Sequence, residues 1–399
     1  MKIVYCTDTF CYPGGIQRIT IAKANALADI EGNEVWIVVT DNKRSTPVLP
    51  ISEKVHLVDL DVNYYEDDWK SKLHVLKGIF VKRREHKRKL KKLLNSIQPD
   101  IVISTGTSEK NFLPSLKISS FPAFIREIHF TSNYRYLAAN GCFERISAII
   151  SNIFDYRFFI SRYDRVVLLS NEDKELHWKG NDKVIVIPNM LIRTNKLPSS
   201  LITKTVITVG RLVVQKNFSS IIRVWKIVHQ CHPDWKLEIW GEGQQKTILQ
   251  YQIDNDNLSD CIFLMGYTND IFSVLSKASL FVCSSLFEGF GLVIVEAMSC
   301  GLPVVSYACP CGPQDIINNE RDGFLIPSGN EQMMANRIIY LIENEDIRRQ
   351  MGAFALEKSK EYSMDIIIHR WMSLFTELIY QKNRNNERKG IDQRYYTSL

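Results

Sequence analysis

The chain has 399 residues, and this length predicts two domains of roughly 150 to 200 residues rather than one hydrophobic core. Its 45% apolar and 24% charged residues are typical of a globular protein, and polar side chains interrupt the longest apolar stretch, 146–160, before the ~18 residues that a membrane-spanning helix needs. The nine scattered cysteines are an odd number, which argues against a disulfide framework and indicates reduced thiols.

The net charge of +6 lies entirely in the first half of the chain. Residues 1–190 hold 28 lysines and arginines against 22 acidic residues, whereas residues 191–399 hold 22 of each. Eleven of the basic residues lie between Lys70 and Lys92, within a predicted helix at 69–97. Such a helix favours an anionic membrane surface or an anionic ligand. A solvated charged face is the alternative, and nucleic acid is disfavoured because no nucleic-acid-binding module accompanies the helix.

The chain opens with a predicted β-α-β unit. A strand at 2–5 is followed by Gly14 and Gly15, a helix at 16–28 and a strand at 35–39. This opening also suits a dinucleotide-binding dehydrogenase. The turn lacks the Gly-x-Gly-x-x-Gly fingerprint, which disfavours that class.

The rest of the first half continues the alternation of strands and helices. His129 follows a predicted strand end, where ligand sites of α/β proteins gather, although a structural role is the alternative. Ser170 is a good N-cap for a helix at 171–177. The aromatic-rich region 134–163 is helical in pattern, and core packing is the default interpretation; together with the basic helix it would form a lipid-facing rim. The further predicted strands are 55–60, 101–104, 122–126, 164–169 and 183–187.

A polar stretch at 193–204 predicts a linker, after which the alternation begins again. A strand at 205–209 leads into Gly210 and Arg211, and Lys216 follows five residues later. Two cations that flank one loop suit a diphosphate that develops negative charge, whereas isolated residues of this kind are more often surface charges. The other predicted elements here are a helix at 218–231 and strands at 237–240 and 262–265.

The stretch 279–307 organises the second half. It reads as a strand at 280–283, a turn with the sequence Glu-Gly-Phe-Gly at 288–291, a helix at 292–299 and a second strand at 304–305. The free amides at such a helix start favour an anion. Glu288 and Glu296 bracket this start; the alternative is that Glu288 is solvated and that Glu296 pairs with a nearby base.

The whole string resembles the donor-binding signature of the retaining family 4 glycosyltransferases, which have the GT-B fold. The resemblance implies catalytic roles for Glu288 at the donor sugar, for Arg211 and Lys216 at the diphosphate, and for His129 near the sugar. It implies that Glu296 binds the ribose. The donor-binding backbone and helix-start positions are Gly14, Gly15, Gly210, Gly289, Phe290, Gly291 and Leu292. The loop 309–315 resembles a donor-side loop of the family, which more often has Glu where Asp315 stands.

The implied fold is α/β, with two Rossmann-like domains facing a cleft. Residues 1–190 form the acceptor-binding domain and 191–364 the nucleotide-sugar-binding domain. A C-terminal helix at 365–380 crosses back to the first domain, and 381–399 are expected to be disordered.

The expected reaction is transfer of a hexosyl unit, with retention, from a UDP-sugar to a lipid-diphosphate-linked or polysaccharide acceptor in cell-surface polysaccharide biosynthesis. No cofactor or metal is expected, because the two cations and the helix amides replace a metal and no Asp-x-Asp element is present. The expected location is cytoplasmic, at the inner face of the cell membrane. A non-catalytic nucleotide-sugar-binding protein on the same fold is the alternative, against which the intact Glu288, Glu296, Arg211 and Lys216 argue.

Overall fold

The structure is a computed structural model that describes residues 1–10, 14–41, 49–64, 72–139, 141–192 and 197–396, with the backbone alone for 72–79 and 385–396. The strands are β1 Lys2–Thr9, β2 Glu34–Asp41, β3 Val55–Asp59, β4 Ile101–Ser104, β5 Ala123–Glu127, β6 Arg165–Leu168, β7 Val184–Val186, β8 Thr205–Val209, β9 Lys236–Trp240, β10 Ile262–Gly266, β11 Leu280–Cys283, β12 Val304–Tyr307 and β13 Gly323–Ile326. The helices are α1 Gly15–Ala28, α2 Lys72–Ile97, α3 Tyr134–Leu137, α4 Cys142–Phe154, α5 Asn171–His177, α6 Phe218–Cys231, α7 Lys246–Asn255, α8 Ile271–Leu275, α9 Leu292–Ser299, α10 Pro313–Ile316, α11 Glu331–Glu343, α12 Glu345–Ser359 and α13 Met364–Tyr396.

The strands form two parallel sheets, one in each half of the chain. The first has seven strands in the order β3-β2-β1-β4-β5-β6-β7, and the second has six in the order β10-β9-β8-β11-β12-β13. In each sheet the first strand in the chain is an interior strand, so the order reverses beside it: β1 pairs with both β2 and β4, and β8 with both β9 and β11. The predicted architecture of two α/β domains is confirmed. The carboxyl ends beside such a reversal are where ligands bind in α/β sheets.

Helices cover both faces of each sheet, as all-parallel sheets require. In the first domain one face packs on α1 and the other on α2. In the second domain α6, α7 and α11 cover one face, and α8, α9 and α12 cover the other. The strands are therefore buried on both sides, which explains why they are nearly continuous apolar runs.

The C-terminal helix α13 joins the first domain, as predicted. Its apolar residues Ile367, Trp371 and Phe375 belong to the same core cluster as Ile3 of β1 and residues of α1. The ring of Trp371 lies over the ammonium group of the buried Lys23, which is 4.5 Å from the ring centroid. The end of the chain is therefore packed against the first sheet.

The prediction of a disordered tail at 381–399 is wrong for the described part of that segment. Helix α13 does not end at residue 380 but continues to Tyr396. The physical reason is that 381–396 contain no proline and are rich in lysine, arginine, glutamine and glutamate, which are good helix formers. The last three residues, 397–399, lie outside the described residues.

Other boundary predictions have different outcomes. The predicted helix at 69–97 is described from Lys72 onward, and the first part of the predicted linker, 193–196, lies outside the described residues. The division of the chain near residues 190 and 364 stays a prediction. Ser170 caps α5 as predicted, because its side chain accepts a hydrogen bond from the amide of Asp173.

The default interpretation of 134–163 as core packing is wrong for α4. Most of the large apolar side chains of this helix are exposed, including Phe143, Ile150 and Ile153. The predicted helical pattern of this region is confirmed by α4, but such a pattern does not say which side of a helix faces the protein.

We predict that Trp371→Ala lowers the free energy of unfolding by roughly 3–5 kcal/mol, because it opens a cavity where α13 meets the first domain and removes the ring above Lys23. Ile366→Ala is the matched control on the same helix, since Ile366 is 41% exposed. Urea denaturation followed by circular dichroism measures both. Equal midpoints for the two variants would show that Trp371 does not hold α13 in place.

Candidate active site

The loop between β11 and α9 is folded by its contacts with the loop after β8. The side-chain amide of Gln215 donates to the carbonyl of Phe287 at 2.8 Å, and the hydroxyl of Ser284 donates to the carbonyl of Lys216 at 2.9 Å. Gly291 precedes α9 with a φ of 88°, a left-handed conformation that favours glycine. These contacts place the predicted Glu-Gly-Phe-Gly turn and the predicted cation loop side by side.

Glu288 is buried and paired with a cation. Lys216 Nζ lies 2.5 Å from Glu288 Oε1, and the hydroxyl of Ser285 donates to the same oxygen at 2.6 Å. Burial acts to lower the pKa of Lys216, but the carboxylate of Glu288 more than offsets this and raises the pKa above its usual value. The interpretation of Glu288 as a solvated loop residue is therefore wrong, and Lys216 is charged at neutral pH.

Gly210 leaves room for the stem of Lys216. A Cβ atom at Gly210 would lie 3.2 Å from Cδ and Cε of Lys216, which is closer than most real contacts. The lysine stem thus runs along the backbone after β8, and its ammonium group reaches the loop after β11.

Glu296 meets a cation from the other domain. It is buried in the second turn of α9, and its Oε1 lies 2.8 Å from Nη1 of Arg18 on α1. Oε1 forms this ion pair but no hydrogen bond of good geometry with the described residues. Burial raises the pKa of Glu296, and Arg18 partly opposes the shift. The site therefore has a buried acceptor that a ligand hydroxyl would satisfy.

His129 lies at the contact between the two domains. A Cβ atom at Gly289 would lie 2.2 Å from the carbonyl oxygen of His129, so the Glu-Gly-Phe-Gly turn packs directly on the segment after β5. Burial lowers the pKa of His129 to about 4, which leaves the imidazole neutral at physiological pH. The predicted His129 and Gly289 are thus brought together across the cleft.

A buried charged pair lies behind His129. Lys23 of α1 donates to Glu127 at the end of β5, and both side chains are nearly inaccessible. Glu127 Oε1 is also 3.4 Å from Nε2 of His129. Burial acts to raise the pKa of Glu127, but Lys23 beside it lowers the pKa below its usual value. A carboxylate that stays ionised therefore faces the imidazole.

The loop 309–315 contacts the first domain. The amide of Cys311 and the side-chain amide of Gln314 both donate to the carboxylate of Glu172, at 2.8 and 2.9 Å. In return, the amide of Glu172 donates to Asp315 Oδ2 at 3.3 Å, which places a carboxylate at the start of α5. Asp315 thus has a contact role between the domains.

Some predicted residues have no side-chain contact with this group. Arg211 is exposed, and among the described residues its guanidinium has no hydrogen-bond or ion-pair partner. The ring of Phe290 is buried against Tyr362 in the core of the second domain, so only its backbone is available to a donor. Gly14 and Gly15 form the start of α1, one turn before Arg18, and Leu292 packs against the cores of both domains.

Arg18, Ser285 and Glu172 are contact residues of the site that are not among its predicted residues. Arg18 lies one helical turn after Gly14, a position at the helix start that faces the cleft, and this spacing was the available signal. Ser285 is the second residue after a predicted strand end, and this position is a second signal. Nothing in the sequence near Glu172 indicates that it contacts the other domain.

The arrangement can stabilise an anion next to a polyhydroxyl ligand. Lys216 and the amides at the start of α9 supply positive charge at one place, and Arg211 lies on the same loop after β8 with an exposed guanidinium. Glu288 and the unsatisfied oxygen of Glu296 supply acceptors for hydroxyl groups. These are the requirements for binding a sugar joined to a diphosphate.

Residues 193–358 match the family described as glycosyl transferases group 1. An uncharacterized glycosyltransferase of Haemophilus influenzae is 26% identical over 365 residues, which cover 90% of this chain and 96% of that protein. A poly(ribitol-phosphate) alpha-N-acetylglucosaminyltransferase of Staphylococcus aureus is 31% identical over 196 residues, 49% of this chain and 40% of that protein.

Solved structures show the same fold. A single-residue variant of S. aureus TarM, crystallised with UDP and alpha-GlcNAc-glycerol, matches with a TM-score of 0.76 at 17% identity and covers 94% of this chain and 99% of that chain. HepE of Anabaena in complex with UDP matches with a TM-score of 0.69 at 17% identity and covers 94% and 100%. Among the described residues, none of the helices combines the length and apolarity to cross a bilayer. The chain is a glycosyltransferase with the GT-B fold, and its second domain belongs to the glycosyl transferases group 1.

Proposed function

We propose that this glycosyltransferase transfers a hexosyl unit from a UDP-sugar, with retention of anomeric configuration and without a metal, to a lipid-diphosphate-linked or glycan acceptor in cell-surface polysaccharide biosynthesis. The observation that carries the proposal is the buried Lys216–Glu288 pair at the start of α9, packed against the segment of His129. This pair combines a cation for the leaving diphosphate with a carboxylate for the sugar.

The donor is supported by both the geometry and the relatives. The Oε1 of Glu296, which forms no hydrogen bond of good geometry with the described residues, suits a ribose hydroxyl. Lys216 pairs with Glu288 in the turn before the same helix, where its charge would meet the diphosphate. TarM and HepE, which share the fold, were crystallised with UDP. A uridine diphosphate sugar is therefore the donor that we propose.

The acceptor is inferred from charge and from relatives. The first domain carries the whole surplus of positive charge, which favours an anionic acceptor or a membrane surface with anionic lipids, and not nucleic acid. The S. aureus relative acts on poly(ribitol-phosphate), and a Bacillus subtilis relative, 28% identical over 265 residues, is a poly(glycerol-phosphate) alpha-glucosyltransferase. Both named acceptors are polymers that contain phosphate. The enzyme would act at the inner face of the cell membrane.

In the proposed mechanism the enzyme stabilises the leaving group and supplies no nucleophile. As the bond between sugar and phosphate breaks, Lys216, Arg211 and the amides of α9 stabilise the diphosphate charge. The departing phosphate then takes the proton of the acceptor hydroxyl, whose oxygen bonds to the anomeric carbon. Because both groups lie on the same face of the sugar, the configuration is retained. Glu288 orients the sugar hydroxyls, and the neutral His129 positions the sugar from the opposite domain.

The test is a donor screen on the full chain with UDP-, GDP- and ADP-hexoses and a polyprenyl-diphosphate-linked sugar as acceptor. Product mass identifies transfer, and NMR of the new linkage identifies its configuration. We expect product from a UDP-hexose with the donor configuration retained, and undiminished activity in EDTA. Loss of activity in EDTA with rescue by Mg²⁺ or Mn²⁺ would contradict the metal-independent mechanism, and an inverted product would contradict retention.

We predict that Arg211→Ala and Lys216→Ala each lower turnover by roughly 10²–10³, because each removes a group that stabilises charge in the transition state. Lys246→Ala is the control: Lys246 is a half-exposed lysine of α7, paired with Glu242, and its loss should leave turnover unchanged. Steady-state kinetics measure all three. Wild-type rates in both single variants would remove these cations from the mechanism.

We predict that Glu288 is needed for sugar transfer and that Glu296 is needed for nucleotide binding. Glu288→Gln should reduce turnover severely while UDP binds with nearly unchanged affinity, because this carboxylate contacts the sugar. Glu296→Gln should weaken UDP binding by roughly tenfold, the value of one charged hydrogen bond. Isothermal titration calorimetry with UDP decides, and equal losses of affinity would show that the roles are divided wrongly.

We predict that Gly289→Ala lowers turnover by about 10²-fold, because a Cβ atom would collide with the carbonyl of His129 and move the two halves of the site apart. Gly141→Ala is the control, since a Cβ atom there meets nothing within 4 Å and the φ of −148° suits alanine. Kinetics and thermal unfolding are measured together. A fully active Gly289→Ala protein would mean that this contact is not needed for catalysis.

A further inference from the structure

Helix α4 presents its apolar side to solvent. We define the apolar face of α4 by six exposed side chains that share one side of the helix: Phe143, Ile146, Ile149, Ile150, Ile153 and Phe154. Their exposed fractions are 84%, 52%, 45%, 62%, 61% and 51%. Phe158, which is 48% exposed, continues the face with its ring 4.8 Å from that of Phe154. An apolar patch of this kind on a soluble monomer marks an interaction surface.

The side of α4 that faces the protein carries no large apolar side chain, and its one buried residue is the small Ala148. Asn152 donates to the carbonyl of Ser132 at 3.4 Å. Asp155, directly after the helix, forms ion pairs with Lys110 and Arg135 at 2.6 and 2.8 Å. In an ordinary surface helix the apolar side packs on the core and the polar side meets water, and here this polarity is reversed. Polar contacts therefore hold the helix in place, and its apolar face is left to contact a lipid bilayer or another molecule.

The cations near the apolar face have no anionic partner. Arg145 and Arg157 are exposed, lie at the start and beyond the end of α4, and form no ion pair among the described residues. Arg145 instead lies over the ring of Tyr136, 5.4 Å from its centroid. Apolar side chains flanked by arginines are complementary to an anionic lipid surface. The apolar side chains enter the acyl region, and the arginines bind the phosphates of the lipid headgroups.

The same charges disfavour a second copy of this chain as the occupant. A two-fold dimer places the same patch of both subunits together, so the arginines of one copy would approach those of the other. The one carboxylate of α4, Glu144, is not among the six side chains of the apolar face and already has a partner, so it is not free to bind the arginines of a second copy. The observations thus favour a bilayer over self-association.

We propose that α4 lies in the plane of an anionic membrane with its apolar face inserted into the acyl boundary, and that this insertion holds the first domain at the bilayer. This rests on the membrane part of the proposed function and adds the element that enters the lipid. The basic helix α2 then supplies long-range attraction, while α4 supplies the contact that salt does not screen.

The first experiment measures co-sedimentation of the full chain with vesicles of phosphatidylglycerol and phosphatidylcholine, without donor or acceptor. The double variant Ile150→Ser/Ile153→Ser should bind at least tenfold more weakly than wild type. Ile248→Ser/Tyr251→Ser is the matched control on α7 of the second domain, where these side chains are 64% and 72% exposed, and it should bind as wild type does. Since all four side chains are exposed, the substitutions leave the cores intact.

A third variant separates insertion from charge attraction. Arg84, Arg88 and Lys91 are exposed on α2, and their reversal to Glu should weaken binding at low salt. At high salt the wild type and this variant should bind equally, because exposed charges are screened there. The α4 variant should remain weak at both salt concentrations. Equal binding by wild type and the α4 variant at both salt concentrations would overturn the proposal.

The second experiment locates the helix with a fluorophore that responds to polarity. Cys142 at the start of α4 and Cys231 at the end of α6 are both exposed thiols. Each is labelled alone, with the other and Cys11 replaced by Ser. Vesicles should shift the emission of the Cys142 label to shorter wavelength and leave that of the Cys231 label unchanged. No shift at Cys142, or a wild type that dimerises without vesicles while the α4 variant stays monomeric, would overturn the proposal in favour of a protein interface.

The outcome is distinguishable from failure of the proposed function. Transfer to a water-soluble acceptor requires the cleft but not the bilayer, so the α4 variant should retain wild-type turnover in that assay. If the wild type transfers sugar but the α4 variant binds vesicles as well as the wild type does, the proposed insertion is refuted and the proposed reaction is not. A protein that inserts but transfers no sugar would refute the proposed reaction alone.

Discussion

Two buried carboxylates impose the main constraint on this structure. An ionised carboxylate away from water must have a cation or hydrogen-bond donors, and removing one partner of such a pair costs about 3–5 kcal/mol. Glu288 is compensated within its own domain by Lys216, whereas Glu296 depends on Arg18 from the other domain. Because Arg18 belongs to the first domain, the burial of Glu296 in α9 depends on the packing of the two domains against each other. A donor that binds between them would replace part of this compensation with hydrogen bonds from its own hydroxyl groups.

The first domain supports the site through buried contacts behind the loop that carries His129. His129 lies against Gly289, and behind it the buried Lys23–Glu127 pair is covered by Trp371 of α13. The last helix of the chain is thus connected, through a cation–π contact and an ion pair, to the residue that meets the donor-side turn. The C-terminal helix therefore supports the site as well as completing a core.

The domains meet through apolar packing of Leu292, through polar contacts and through one contact that is limited by backbone. Glu172 joins α5 to the loop of Cys311 and Asp315 through three hydrogen bonds, while the contact of Gly289 admits no side chain. Polar contacts of this kind can be exchanged for water, which suits a cleft that must open for substrate. The exposed α4 lies in the same domain as the surplus charge, so the proposed membrane contact and the surplus charge belong to one unit.

The sequence by itself determined the local elements and the chemistry of the donor-side loop. Strands at 280–283 and 205–209 and helices at 218–231 and 292–299 follow from runs, periods and glycines that act within a few residues, so they were predictable with their bounds. Only the tertiary structure decided that Arg18 meets Glu296, that Glu172 joins the domains, and that α4 turns its apolar side outward. Partners far apart in the chain leave no local signal. An amphipathic period is the same whether the apolar side faces a core or a bilayer, because periodicity records the two sides of a helix and not their surroundings.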